Sequence, residues 1–87
     1  MPAFLVERYL PRSRAADADA EARRARDTAE SLSREGHVVR YIRTTVLPDD
    51  ETCFHLIEAD SADVVSELCV EAGLLHARIV RAVDATG

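Results

Sequence analysis

Three histidines and two cysteines are the residues of this 87-residue chain best suited to bind a transition metal. Imidazole suits nickel, copper and zinc, with thiolate or carboxylate as co-ligands. His55 is the leading candidate. It stands two residues after Cys53 in a run, Thr52 to Ala59, that reads as a strand. Spacing i,i+2 on a strand projects both side chains from one face, about 7 Å apart along the chain, so one ion can bridge them. The competing reading of His55 is a packed histidine hydrogen-bonded within an interface. For Cys53 and Cys69 it is a pair of buried free thiols in a reducing compartment, since no CxxC pair and no dense disulfide pattern exists.

His37 opens a second strand-like run just after Gly36, and His76 opens a final one. These two strands should occupy opposite edges of a sheet, so a site shared within one chain is not expected. Each can bind a metal at the surface or across a dimer contact, or be a solvated terminal histidine. Glu7 and Glu58 fall in strand centres, where a carboxylate is costly to bury unless paired. Arg8, Arg40, Arg43 and Arg81 can pair with them. Glu7 can alternatively act as a metal co-ligand, or as a general base facing a cavity. Tyr9 and Tyr41 can supply hydroxyls to such a pocket. No phosphate-binding glycine loop, HExxH or nucleophile elbow occurs.

The elements that would position these residues follow from periodicity. Phe4 to Leu10 reads as a strand stopped by Pro11, apolar on both faces. Ser13 is a plausible N-cap for the helix that follows. Asp17, Asp19 and Glu21 suit its dipole. Its buried face is predicted as Ala18, Ala22, Ala25, Ala29 and Leu32, and Gly36 ends it. Val38 to Val46 reads as a strand with Val38, Arg40, Ile42, Thr44 and Val46 on one face. Val39, Tyr41, Arg43 and Thr45 take the other. Pro48-Asp49-Asp50 is a turn. Asp60 or Ser61 caps a second helix whose buried stripe is Val64, Val65, Leu68 and Ala72, closed by Gly73. A last strand runs from about His76 to Val83, and Asp84 to Gly87 is a tail.

This is one small α+β domain, residues 1–87, with a βαββαβ order. The order predicts a ferredoxin-like sandwich with a 4-1-3-2 antiparallel sheet and both helices on one face. The other face keeps apolar groups, which predicts sheet-to-sheet homodimerisation into an α+β barrel. The net charge of −5, from 16 acids and 11 bases that are all arginine, argues against nucleic acid and anionic membrane as partners. No membrane-length apolar run and no signal-peptide layout occur, so a cytoplasmic location is expected.

Four segments together resemble a small ferredoxin-like domain-of-unknown-function family: Phe4 to Pro11, Arg43 to Pro48, Thr52 to Ala59 and Glu71 to Leu74. At least one branch of that family is described as a nickel-binding homodimer. The resemblance implies a homodimer with nickel as ligand, acting in binding, storage or sensing rather than turnover. The chain departs from the family pattern at Leu75-His76-Ala77, at Arg81 and at His55, where a second thiol is frequent. The metal candidates therefore rest on chemistry: His55, Cys53, His37, His76 and Glu7. The alternative reading is a small-molecule binder or cofactor-independent enzyme of the dimeric α+β-barrel kind, with Glu7, Tyr9, Tyr41, Arg43 and His55 around a cavity.

Overall fold

Strand β1 (Ala3–Tyr9) enters a short 3₁₀ segment, Arg12–Asp17, before helix α1 (Ala18–Arg34). Strands β2 (Val39–Leu47) and β3 (Thr52–Ala59) meet at the expected turn after Pro48, and helix α2 (Ala62–Glu71) leads to β4 (Arg78–Ala82). These bounds come from a computed structural model, which describes residues 1–85. The expected tail therefore ends in two residues outside that range.

The sheet is antiparallel throughout, in the order β2-β3-β1-β4, which is 4-1-3-2 counted from the other edge. Both helices pack on one face. Their core joins Phe4 and Val6 of β1, Val39 of β2 and Ile57 and Ala59 of β3 to Ala25, Ala29 and Leu32 of α1 and Val65 and Leu68 of α2. A second, smaller cluster of Leu10, Ala18 and Cys53, with Val46 against it, lies toward the start of α1. Gly36 (φ 101°) and Gly73 (φ 73°) follow the two helix ends in the left-handed region, where glycine avoids the Cβ clash.

Three local expectations are corrected. Ser13 lies inside the 3₁₀ segment and caps nothing; α1 begins five residues later, at Ala18. The buried face of α1 is Ala18, Glu21, Ala25, Ala29 and Leu32, so a carboxylate takes the place predicted for Ala22, which is only half-buried. In β2 the register slips between Tyr41 and Arg43, which pair with the adjacent residues Ile57 and Leu56. Ile42 is the extra residue of a β-bulge, and a bulge inverts side-chain parity beyond it. Val39 and Tyr41 therefore share the helix-covered face with Thr44 and Val46, where simple alternation separates them.

Candidate metal centre

Glu21, Cys53 and His55 converge beneath the first turns of α1. One donor atom from each lies within 4.8 Å of the others. The local sequence explains why. Cys53 and His55 sit at alternate positions of a central strand and are fully buried. Glu21 projects from a helix face that is otherwise alanine at 18, 25 and 29. Methyl side chains let α1 lie close to the sheet, within reach of a carboxylate on two methylenes.

Polar partners surround this group. Glu21 Oε2 lies 3.0 Å from His55 Nε2. Glu21 Oε1 accepts a hydrogen bond from Arg8 Nε at 2.8 Å, and Arg8 Nη2 lies 2.7 Å from the same oxygen in an ion pair. The remaining end of the Arg8 guanidinium donates to the Leu75 carbonyl in the α2–β4 connection. On the other side of the ring, His55 Nδ1 lies 2.7 Å from Thr44 Oγ1, and Thr44 Oγ1 lies 2.6 Å from the Tyr41 hydroxyl. Cys53 Sγ is 3.9 Å from His55 Nε2. Among the described residues no buried side-chain nitrogen or oxygen lacks a partner.

The electrostatics follow from these contacts. Burial works against ionised Glu21, but the hydrogen bonds from His55 and Arg8, with their charges, outweigh it and hold the carboxyl at about 2, below its ordinary 4.5. Glu21 is therefore a carboxylate at neutral pH, an acceptor only, so His55 Nε2 must be the donor between them. His55 Nδ1 faces the Thr44 hydroxyl, which can donate to a bare nitrogen or accept from a protonated one, and Thr44 shares a hydrogen with the Tyr41 hydroxyl. Burial, reinforced by the Glu21 charge, pushes the Cys53 thiol up to about 12. The Cys69 thiol is also pushed up by burial.

The residues singled out in the sequence divide between the two faces of the sheet. Cys53 and His55 are together as expected. His37 lies 3.8 Å from Glu67 at the α2 surface. His76 is exposed in the α2–β4 connection, with a left-handed backbone at φ 59°. Glu7 is half-buried on the open face, 3.9 Å from Arg78, and Glu58 is held by Arg40 at 2.8 and 3.1 Å on that same face. His37, His76, Glu7 and Glu58 all lie outside the buried group. Glu7, Tyr9 and Arg43 stand on the open face, while Tyr41 and His55 are on the covered one, so these five do not line one cavity within a chain.

Glu21 was not among the residues singled out, because an acid early in a helix suits the dipole. The signal that marks it is its register: 21, 25, 29 and 32 follow helical spacing along the buried face. Arg8 carries a similar signal, alternating with Val6 and Leu10 on the covered face of β1.

No curated protein and no solved structure matches this chain. A protein-family model does, over residues 4–81, and it is described as nickel responsive protein SCO4226-like. The match reaches into every strand and takes in both helices and the whole buried group, and on it the chain belongs to the SCO4226-like nickel responsive protein family.

Proposed function

We propose that this chain is a non-catalytic, homodimeric protein of ferredoxin-like fold that takes up a divalent transition metal, nickel by family, on Glu21, Cys53 and His55. The observation that carries this reading is the convergence of a carboxylate oxygen, an imidazole nitrogen and a sulfur within 4.8 Å. Among the described residues these form the one group of three such side chains. The donor set fits the ion. Imidazole suits nickel, and thiolate adds a soft ligand, whereas magnesium and calcium call for oxygen alone.

The chain's own residues support uptake in three ways. Arg8 holds Glu21 Oε1 through Nε and Nη2 and leaves Oε2 turned toward His55. The apolar clusters on either side keep competing water away. Cys53 keeps its proton in the metal-free state, and a bound divalent cation would supply the charge that favours thiolate instead. Uptake therefore releases a proton from Cys53. The family's description as nickel responsive is consistent with such a binding event.

The homodimer rests on the open face. Leu5 pairs across strands with Leu56 and Val80, and Phe54 stands beside Glu7; all four apolar side chains remain partly exposed. A second copy placed sheet to sheet covers them and closes an α+β barrel. Isothermal titration with nickel tests the metal reading. Wild type should bind, and His55→Ala should lose at least about tenfold in affinity. Unchanged affinity in His55→Ala would remove the site. Sedimentation tests the assembly: twice the chain mass is expected, and a monomer at micromolar concentration would contradict it.

A further inference from the structure

Arg8 stands directly across from Cys53 in the β1–β3 ladder, half-buried on the covered face. Its guanidinium meets Glu21 on one oxygen: Nε lies 2.8 Å and Nη2 2.7 Å from Oε1. The other oxygen, Oε2, turns to His55 at 3.0 Å. We propose that Arg8 is a positioning residue that sets metal specificity. By occupying Oε1 it makes Glu21 a one-oxygen ligand, which favours nickel and zinc over manganese and calcium. The inference rests on the metal reading above and adds to it a residue that is not itself a ligand.

A free carboxylate can grip a cation through both oxygens. Hard cations reward that. Calcium fills its many positions with oxygen, frequently from bidentate carboxylates, and manganese prefers oxygen-rich octahedral sites. Nickel and zinc draw more of their binding from imidazole and thiolate. With Oε1 held, the buried group offers one oxygen beside one nitrogen and one sulfur. A second oxygen becomes available only when a charge-assisted contact is broken. That contact is shielded, since the Arg8 and Glu21 side chains are 20% and 6% exposed, and ions in solution screen such a pair little.

The guanidinium is also fixed from a third direction. Nη1 donates to the Leu75 carbonyl in the α2–β4 connection, so all three nitrogens are engaged. Arg8 cannot swing onto Oε2 without giving up a partner. A lysine here would present one point charge in place of the planar fork.

The surroundings reinforce the selection. A cleft of about 330 Å³ is lined by Arg8, Leu10, Arg14, Glu21 and Arg24, among others. Glu21 is the one member of the buried group that lines it. Arg14 is paired with Asp17 at 2.9 Å, which leaves Arg8 and Arg24 as the positive charges beside Glu21. A hard cation at the cleft gains a single carboxylate oxygen and faces two guanidinium groups. An ion that continues to His55 and Cys53 gains the two softer donors.

Competitive titration tests the assignment. Nickel, zinc, manganese and calcium chlorides are titrated into wild type, Arg8→Lys and Arg8→Met. The readout is the ratio of nickel to manganese affinity. Loss of a positive charge strengthens every divalent ion alike, whereas a freed oxygen favours manganese and calcium. The ratio should fall at least about tenfold in Arg8→Met, with Arg8→Lys between it and wild type. Crystals of nickel-loaded wild type should show Oε2 on the ion and Oε1 still on Arg8. Both oxygens on nickel, or a wild-type ratio in a folded Arg8→Met, would overturn the assignment. Urea midpoints of the metal-free variants show that each is folded, and where Arg8→Met is not, the nickel-loaded wild type decides alone. Where His55→Ala abolishes nickel binding and Arg8→Met keeps the ratio, the site stands and the role of Arg8 fails. Where His55→Ala binds nickel as wild type does, both fail.

Discussion

Glu21 Oε2 lies 3.0 Å from His55 Nε2, and the strand histidine is fully buried beneath the helix that carries the carboxylate. This contact ties α1 to the central strand β3 by a charge-assisted hydrogen bond in an apolar setting. Arg8 of β1 completes it from the other side. Breaking a buried pair leaves the remaining charge uncompensated, which typically costs about 3–5 kcal/mol. Glu21→Gln should therefore lower the melting temperature of the metal-free protein by roughly 10 °C or more. A thermal melt within about 3 °C of wild type would show that the contact adds little to the fold.

The same group gives an acid limb to stability. Glu21 titrates at about 2 in the fold against an ordinary 4.5. A depressed carboxyl pKa contributes stability that is fully present above the unfolded value and is lost as pH falls through the folded one. The loss should run from about pH 4.5 down to about 2, and amounts to about 3 kcal/mol. Urea unfolding across that window should show the slope in wild type and a flatter profile in Glu21→Gln. Parallel profiles would assign the acid limb to other carboxylates.

Glu7 should behave differently from Glu21. It is half-exposed on the open face, and its partner Arg78 is largely in solvent, 3.9 Å away. The expectation of a buried strand-centre ion pair does not hold for this residue. Exposed pairs contribute under about 1 kcal/mol. Glu7→Gln should leave the urea midpoint almost unchanged, and a large loss of stability would mean that a second chain buries it.

The open face can be tested separately from the metal. Leu56 sits mid-strand on that face, between Leu5 and Arg43. Leu56→Asp places a charge where a sheet-to-sheet contact would bury it, at little cost to a monomer. Sedimentation should then give the single-chain mass, with nickel uptake retained, because Glu21, Cys53 and His55 belong to one chain. Loss of nickel binding on dissociation would mean that the partner completes the site.

Half of the site was legible in the sequence. Cys53 and His55 stand two apart in a run of strand formers, and period-2 geometry puts them on one face. Glu21 was not legible by the same logic. Helical periodicity is a pattern of apolar residues, so it runs the buried face through Ala22, and a carboxylate at a buried register position looks like a dipole partner. Arg8 reads as a partner for Glu7 or Glu58 within the sheet; its actual partner, Glu21, lies thirteen residues along the chain and across the helix–sheet interface. The bulge at Ile42 left no mark on composition, because Tyr, Ile, Arg and Thr suit a regular strand equally well. Its effect appears only when β2 is paired with β3 and the register slips by one. Element order was legible because each helix and strand carries its own period and its own stop, such as Gly36 and Gly73. Side-chain partners chosen by tertiary packing carry no such local signal.

Native mass spectrometry of purified wild type and His55→Ala, with and without nickel, shows whether Glu21, Cys53 and His55 hold the metal. It reads metal stoichiometry and assembly together. A wild-type dimer that gains one nickel per chain is expected, beside a folded His55→Ala dimer that gains none. Equal nickel uptake by His55→Ala would contradict it, and would place the metal somewhere other than Glu21, Cys53 and His55.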